Sequence, residues 1–297
     1  MIKFSTVLAI CILLCGCAAF DPQLRTEPPL EMPRTYTLFG EGVSDMGMWW
    51  QAFESPELND LVTEALKGNF DIQTAWARLR QAEAVARQVG AASLPSANYD
   101  LGASKSRIQT KPSENAFTQT TVQKSYRAGL AASYEVDLWG RVRAEQEAEV
   151  IFAAAVREDL DAAAVTIAGE VVKTWLNIIA TRREMAILRE QIQTNETLLK
   201  LQEIRFANGL AQGLDVSQQR AALAGARSGL PLLVLAERQL FNSLALLLGR
   251  SSSQALQVDQ GTLPGLIPVP ATGVPVDLLA SRPDVRSAGL RLHFADW

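Results

Sequence analysis

From Arg141 to about Asn208 the chain contains no proline and only one glycine, Gly169. Nothing in that stretch interrupts an α-helix, and roughly 65 residues at 1.5 Å each would reach on the order of 100 Å. The segment just before it alternates. Tyr126, Ala128, Leu130, Ala132, Tyr134, Val136 and Leu138 fall on one side of a strand. Ser125, Arg127, Gly129, Ala131, Ser133, Glu135 and Asp137 fall on the other. That is the pattern of a membrane-barrel strand, apolar toward lipid and polar toward a lumen. A barrel strand continued by so long a helix suggests a conduit that crosses a membrane and projects beyond it. An ordinary surface strand followed by a coiled coil carries the same signature.

No internal run of 18 apolar residues occurs in the 297-residue sequence, so no membrane-spanning helix is expected. Any spanning segment must then be β and belong to a closed barrel, where its backbone groups find partners. The mild acidity, net charge −4, gives no reason to expect nucleic acid. All three cysteines, Cys11, Cys15 and Cys17, lie in the first 17 residues. Lys3 and the apolar run Val7 to Leu14 read as an export signal over residues 1–16. Leu14-Cys15-Gly16-Cys17 has the form of a bacterial lipobox, which makes Cys17 the acylated N-terminus of the processed chain. A general signal peptide cut near Ala18-Ala19 is the alternative. A body without cysteine suits an exported protein.

Residues 17–48 carry Pro22, Pro28, Pro29 and Pro33 and read as an extended tether. Residues 49–95 read as short helices. Ser55-Pro56-Glu57 offers an N-cap, a proline at N1 and an acid in the first turn. Gly68-Asn69 breaks the first helix, and Asp71 starts another that stops near Leu94-Pro95. Residues 96–138 read as a hairpin. Its strands are Ser96–Ser104 and Ser125–Leu138, with a polar connection including Lys111-Pro112-Ser113-Glu114-Asn115. Residues 139–249 read as an antiparallel helical hairpin with a turn at Asn208-Gly209 and an N-cap at Asp215. Val171, Ile178, Met185, Ile192, Leu199 and Phe206 form a seven-residue seam, as do Ala153, Leu160, Ile167 and Thr174 before them. Pro231 should kink the second helix. Residues 250–283 are irregular and rich in proline.

The end of the chain echoes its beginning. Asp284-Val285-Arg286-Ser287-Ala288-Gly289-Leu290-Arg291-Leu292 repeats the pattern of Asp71-Ile72-Gln73-Thr74-Ala75-Trp76-Ala77-Arg78-Leu79. An internal repeat of about 213 residues would make 284–297 the start of a second copy.

Six stretches, in this order, carry a resemblance. They are Cys17; Trp49-Trp50-Gln51-Ala52-Phe53 with Pro56-Glu57-Leu58; Tyr134 to Arg141; Arg205 to Val216; Leu246-Leu247-Leu248-Gly249; and Gly273-Val274-Pro275 through Arg282-Pro283-Asp284. Together they resemble the outer membrane factor family, the TolC-like channels of efflux and type I secretion, and most closely its lipoprotein branch. The resemblance covers the first half to two thirds of such a protein. It implies a mainly α fold with a β-hairpin, in which long helical hairpins form a tube and two strands join a trimeric barrel. It further implies a homotrimer in outer-membrane lipid, lipid-anchored and extending into the periplasm. The partners implied are a periplasmic adaptor (a membrane fusion protein) and an inner-membrane pump of the resistance-nodulation-division (RND) class. The adaptor would meet the tip, made by Asn208, Gly209, Leu210, Asp215 and Val216. Asp137, Trp139 and Gly140 would mark the joint between barrel and tube. The acidic residues that narrow the closed tip in relatives would lie beyond Trp297, in a second half absent from this sequence.

Catalytic chemistry is not expected. His293 is the only histidine, no metal or cofactor motif appears, and Glu158, Asp159 and Asp161 read as a solvated helix face. The expected function is a subunit of an efflux channel for small molecules such as drugs or toxic compounds. A lipid-anchored periplasmic coiled-coil scaffold is the alternative.

Overall fold

The computed structural model describes residues 47–110, 119–251, 256, 258, 262–265 and 281–297. Cys17, the signal and tether segments, Lys111 to Asn115 and most of the irregular segment 250–283 lie outside the described residues. The architecture is mainly helical with one two-stranded antiparallel sheet, as the sequence implies. In chain order come α1 (Pro56–Gly68), α2 (Phe70–Gly90), β1 (Ser96–Thr110), β2 (Gln119–Ser133), α3 (Arg141–Ala207), α4 (Gly213–Leu247) and α5 (Pro283–Asp296). Short 3₁₀ turns occupy Trp49–Phe53 and Ala91–Ser93.

Two compact units emerge. Among the described residues, one takes 81–153 with 290–297, and the other takes 47–80 with 154–289. In the second unit Ser55 caps α1 by accepting from the Leu58 N–H at 3.3 Å, ahead of Pro56 at N1. Leu58, Leu61, Val62 and Ala65 recur at helical spacing and are all buried. Asn69 starts α2, its Oδ1 accepting from the N–H of Asp71 at 2.8 Å and of Ile72 at 3.2 Å. The core of this unit centres on the middle of α3, where Val171, Trp175, Ile178 and Ile179 are fully buried. The Phe53 ring lies 6.4 Å from the Trp175 ring, edge-on, and the Trp175 indole N–H donates to Glu57. The aromatic cluster at 49–53 thus has a packing role at this core.

Helices α3 and α4 run antiparallel. Arg220 pairs with Glu203 and Arg227 with Glu196, each at 2.7 Å, and Arg182 with Glu237 at 2.7 Å. As one partner's number rises the other's falls, which only an antiparallel pair allows. Pro231 sits within α4 without ending it.

Several expectations need correction. Helix α4 begins at Gly213 with Gln212 as its cap, and Asp215 stands at N3 instead of the N-cap. Its carboxylate reaches back to the Gln212 N–H at 2.9 Å, the backward half of a capping box. Strand β1 continues to Thr110 and β2 begins at Gln119, so much of the polar stretch taken as a loop is ladder. Strand β2 stops at Ser133, short of Leu138. Its partner there is Ser96. The next position would face Pro95, which has no N–H to extend the ladder. Glu158 is buried and takes Arg286 at 2.5 Å, while the Ser287 hydroxyl donates to Asp159 at 2.6 Å. Of the solvated face expected there, Glu158 and Asp159 are taken up by α5, while Asp161 stays exposed. Finally, α3 and α4 each contain a stretch long and apolar enough to cross a membrane by length and composition. Alanine-rich helices with a packing stripe pass that criterion without an unbroken run of 18 apolar residues.

Candidate membrane hairpin, joint and tip

The fifteen residue pairs of β1 and β2 sort the two faces of the hairpin. On one face stand Ala97↔Ala132, Tyr99↔Leu130, Leu101↔Ala128 and Ala103↔Tyr126. On the other stand Asn98↔Ala131, Asp100↔Gly129, Gly102↔Arg127 and Ser104↔Ser125. Arg127 lies 3.9 Å from Asp100 on this polar face. Every residue of β1 is exposed, and Tyr99 and Leu130 keep 80% and 83% of their surface. The span from Ser96 to Ser104 is nine residues, close to the roughly 9–11 that a tilted membrane strand needs. Among the described residues each strand is hydrogen-bonded on one side only.

Residues 134–140 follow, with Asp137, Trp139 and Gly140, expected to mark the joint, among them. Gly140 has φ +77°, which turns the chain into α3. Asp137 then caps that helix, its carboxylate accepting from the Arg143 N–H at 3.0 Å. Arg141 is held by Glu135 at 2.8 Å and by Glu145 at 3.4 Å. The Glu135 hydrogen bond and charge keep this guanidinium above its ordinary pKa. Trp139 is exposed and borders a shallow apolar cleft with Arg141, Ala144, Phe294 and Trp297.

At the turn expected to form the tip, α3 ends in a Schellman motif. The Leu210 N–H donates to the Arg205 carbonyl at 2.8 Å and the Gly209 N–H to the Phe206 carbonyl at 3.0 Å. Gly209 has φ +71°, and Asn208 Nδ2 donates to the Ile204 carbonyl at 2.7 Å. Leu210 keeps 70% of its surface, and Ile204, Phe206 and Leu214 are likewise exposed. Val216 is buried, so its side chain supports the turn and presents no contact surface. Asp215 is spent on the cap described above.

Sequence reasoning missed the place where α1 and α4 end together. A Cβ on Gly68 would come within 2.6 Å of the Leu248 carbonyl oxygen, and one on Gly249, at φ +71°, within 2.1 Å of the Gly68 oxygen. Asn69 Nδ2 donates to the Leu247 carbonyl at 2.9 Å, and Arg250 forms a two-point pair with Glu64, its second bond 2.6 Å long. The Glu64 hydrogen bond raises the Arg250 pKa further above its ordinary value. The two helix ends, at Gly68-Asn69 and at Gly249, were legible as stop signals, but nothing in the sequence showed that they meet.

Residues 61–250 match the family model of the outer membrane efflux protein. The chain belongs to that family. It is 34% identical over 300 residues to the pyoverdine export outer membrane protein OpmQ of Pseudomonas aeruginosa, covering 99% of this chain and 63% of the relative. The OpmQ of Pseudomonas putida is 31% identical over 291 residues, covering 97% of this chain and 62% of the relative. The solved outer-membrane channel OprN superposes with a TM-score of 0.78 at 25% identity, covering 94% of this chain and 62% of that one. The chain therefore spans somewhat under two thirds of the length of the curated relatives it matches. These efflux-family relatives are outer-membrane channels and not enzymes. Among the described residues no group of three or more His, Cys, Asp or Glu is placed to hold a metal.

Proposed function

We propose that this chain is part of a subunit of an outer-membrane export channel, delivering small molecules from a tripartite pump across the periplasm and outer membrane. The hairpin carries the proposal. It has one apolar and one polar face, and it is exposed along its whole first strand. An isolated two-stranded hairpin is marginal in water. Lipid against the apolar face and neighbouring strands at both edges would supply what it lacks. Neighbours of the same kind, in a homotrimer, would also cover the exposed apolar positions Leu198, Leu201 and Phe206 along the tip half of α3.

In this reading Asp137, Trp139 and Gly140 join barrel to tube, and Asn208, Gly209 and Leu210 meet a periplasmic adaptor. That adaptor links the channel to an inner-membrane RND pump. Cys17 carries the lipid anchor. The OpmQ relatives are named for pyoverdine export, and an exported or toxic small molecule is the cargo class proposed here. Selection of the cargo would rest mainly with the pump.

The test is made in cells. Protease resistance of the hairpin in outer-membrane fractions and heat-modifiable migration are expected. A chain that stays in the membrane fraction with a protease-accessible hairpin would replace the channel by the anchored scaffold. Cys17→Ser is expected to abolish acyl labelling, and unchanged labelling would remove the anchor assignment.

A further inference from the structure

The apolar face of the hairpin ends abruptly. Beyond Ala103↔Tyr126 the next pair on that face is Lys105↔Lys124, and the one after it is Arg107↔Val122. Three cations therefore follow directly on four apolar pairs, on the same side of the sheet. Opposed residues in an antiparallel pair hold their Cβ atoms about 4.5–5.5 Å apart, and like charges placed so repel. The ladder accepts that repulsion at Lys105↔Lys124. All three side chains are exposed, and no ion pair among the described residues involves any of them. The polar face behaves differently, since its cation Arg127 has Asp100 beside it.

The position of the row identifies what would neutralise it. It lies on the hairpin half nearer residues 111–118, away from Pro95 and the joint, through which the chain enters the helices. If the apolar pairs face hydrocarbon, the row sits at the depth where acyl chains give way to head groups. With the helices on the periplasmic side, that is the outer leaflet. Long cationic side chains reach along an apolar surface to a polar boundary, and phosphate is the strong anionic acceptor available there. We propose that Lys105, Arg107 and Lys124 form a binding site for the phosphate groups of an anionic outer-leaflet lipid. The assignment rests on the membrane reading of the hairpin given above. It adds a specific lipid contact to a face otherwise held only by non-directional burial.

The experiment uses the full chain with Cys17→Ser, so that an acyl anchor does not dominate, and two kinds of vesicle. One is phosphatidylcholine alone, and the other is phosphatidylcholine doped with bisphosphorylated lipid A. Binding is expected to be stronger on the doped vesicles and to weaken with salt. Lys105→Gln/Arg107→Gln/Lys124→Gln should lower the affinity for doped vesicles by between about tenfold and the order of 100-fold, given roughly fivefold per surface cation. It should leave binding to neutral vesicles unchanged. Lys105→Arg/Lys124→Arg should retain the preference, which guards against a merely misfolded triple variant. Equal binding of parent and triple variant to both vesicles would overturn the phosphate site and leave the membrane reading intact. Binding to neither vesicle by the parent chain would overturn both. Displacement from doped vesicles by inorganic phosphate, at matched ionic strength, would point to a free-anion site and overturn the lipid assignment.

Discussion

The region around Trp175 and the hairpin are made of similar residues and end in opposite states. Around Trp175, valine, isoleucine and leucine side chains are buried, the indole N–H has Glu57 as its partner, and elsewhere in the same unit Asn69, Glu64 and Arg250 are paired too. On the hairpin, Tyr99, Leu101, Tyr126 and Leu130 face outward. The difference teaches where each region's stability must come from. One is satisfied by its own chain, whereas the other requires a medium and neighbours.

That contrast can be broken by pairing substitutions. Trp175→Ala should cost about 3–5 kcal/mol in urea unfolding of the helical unit, because it empties a fully buried site. Loss of less than a third of that would show the packed region to be looser than described. Leu130→Arg should do the reverse. It should leave the urea midpoint nearly unchanged, since the side chain is already exposed. It should oppose membrane insertion by about 2–4 kcal/mol, read in the Cys17→Ser background from partition between membrane and soluble fractions. Normal insertion of Leu130→Arg would detach the apolar face from lipid.

A smaller effect sharpens the comparison at the tip. A Cβ on Gly209 would meet nothing within 4 Å, so Gly209→Val acts through its backbone alone. Holding valine at φ +71° should cost about 1–2 kcal/mol locally. In a full-length version the expected outcome is lost adaptor crosslinking and efflux with normal insertion. Retained efflux at normal expression would reduce Gly209 to a dispensable cap. The smallest effect belongs to Asp284, whose carboxyl the Arg282 hydrogen bonds hold below its ordinary value of 3.8. A depressed carboxyl contributes stability above its unfolded pKa and loses it as pH falls through the folded one. Asp284→Asn should therefore flatten a slight loss of thermal stability below about pH 3.8. An unchanged acid limb would make this exposed pair irrelevant to folding.

Much of the architecture was legible because it rests on local rules. The proline-free stretch after Arg141 did become one helix, and Gly209 does occupy a left-handed position. Boundaries were harder where two effects compete. Tyr134, Val136 and Leu138 keep the alternation of a strand, yet the ladder has lost its partner at Pro95, and Asp137 serves the helix cap instead. Residues 104–110 look like loop by polarity, but a ladder is held by backbone bonds and tolerates Thr, Gln and Ser well. The docking of Arg286 and Ser287 on Glu158 and Asp159 could not be seen at all, because it joins residues 128 positions apart. The seam shows the same limit. Its spacing is regular throughout, but the positions from Ala153 to Met185 are buried while Phe206, at its far end, is exposed.

The contact of Gly68 and Asn69 with Leu247, Leu248 and Gly249 carries a consequence in time. Asn69 and Leu247 are 178 positions apart. Helix α1 is among the first elements made, yet its carboxyl end has no seat until the end of α4 has emerged. At about 5–20 residues per second of synthesis, that wait lasts roughly 10–35 s. Long-range closure of this kind slows folding. On the export reading proposed above, the delay would keep the amino-terminal segment unfinished, and so threadable, while the rest of the chain is made.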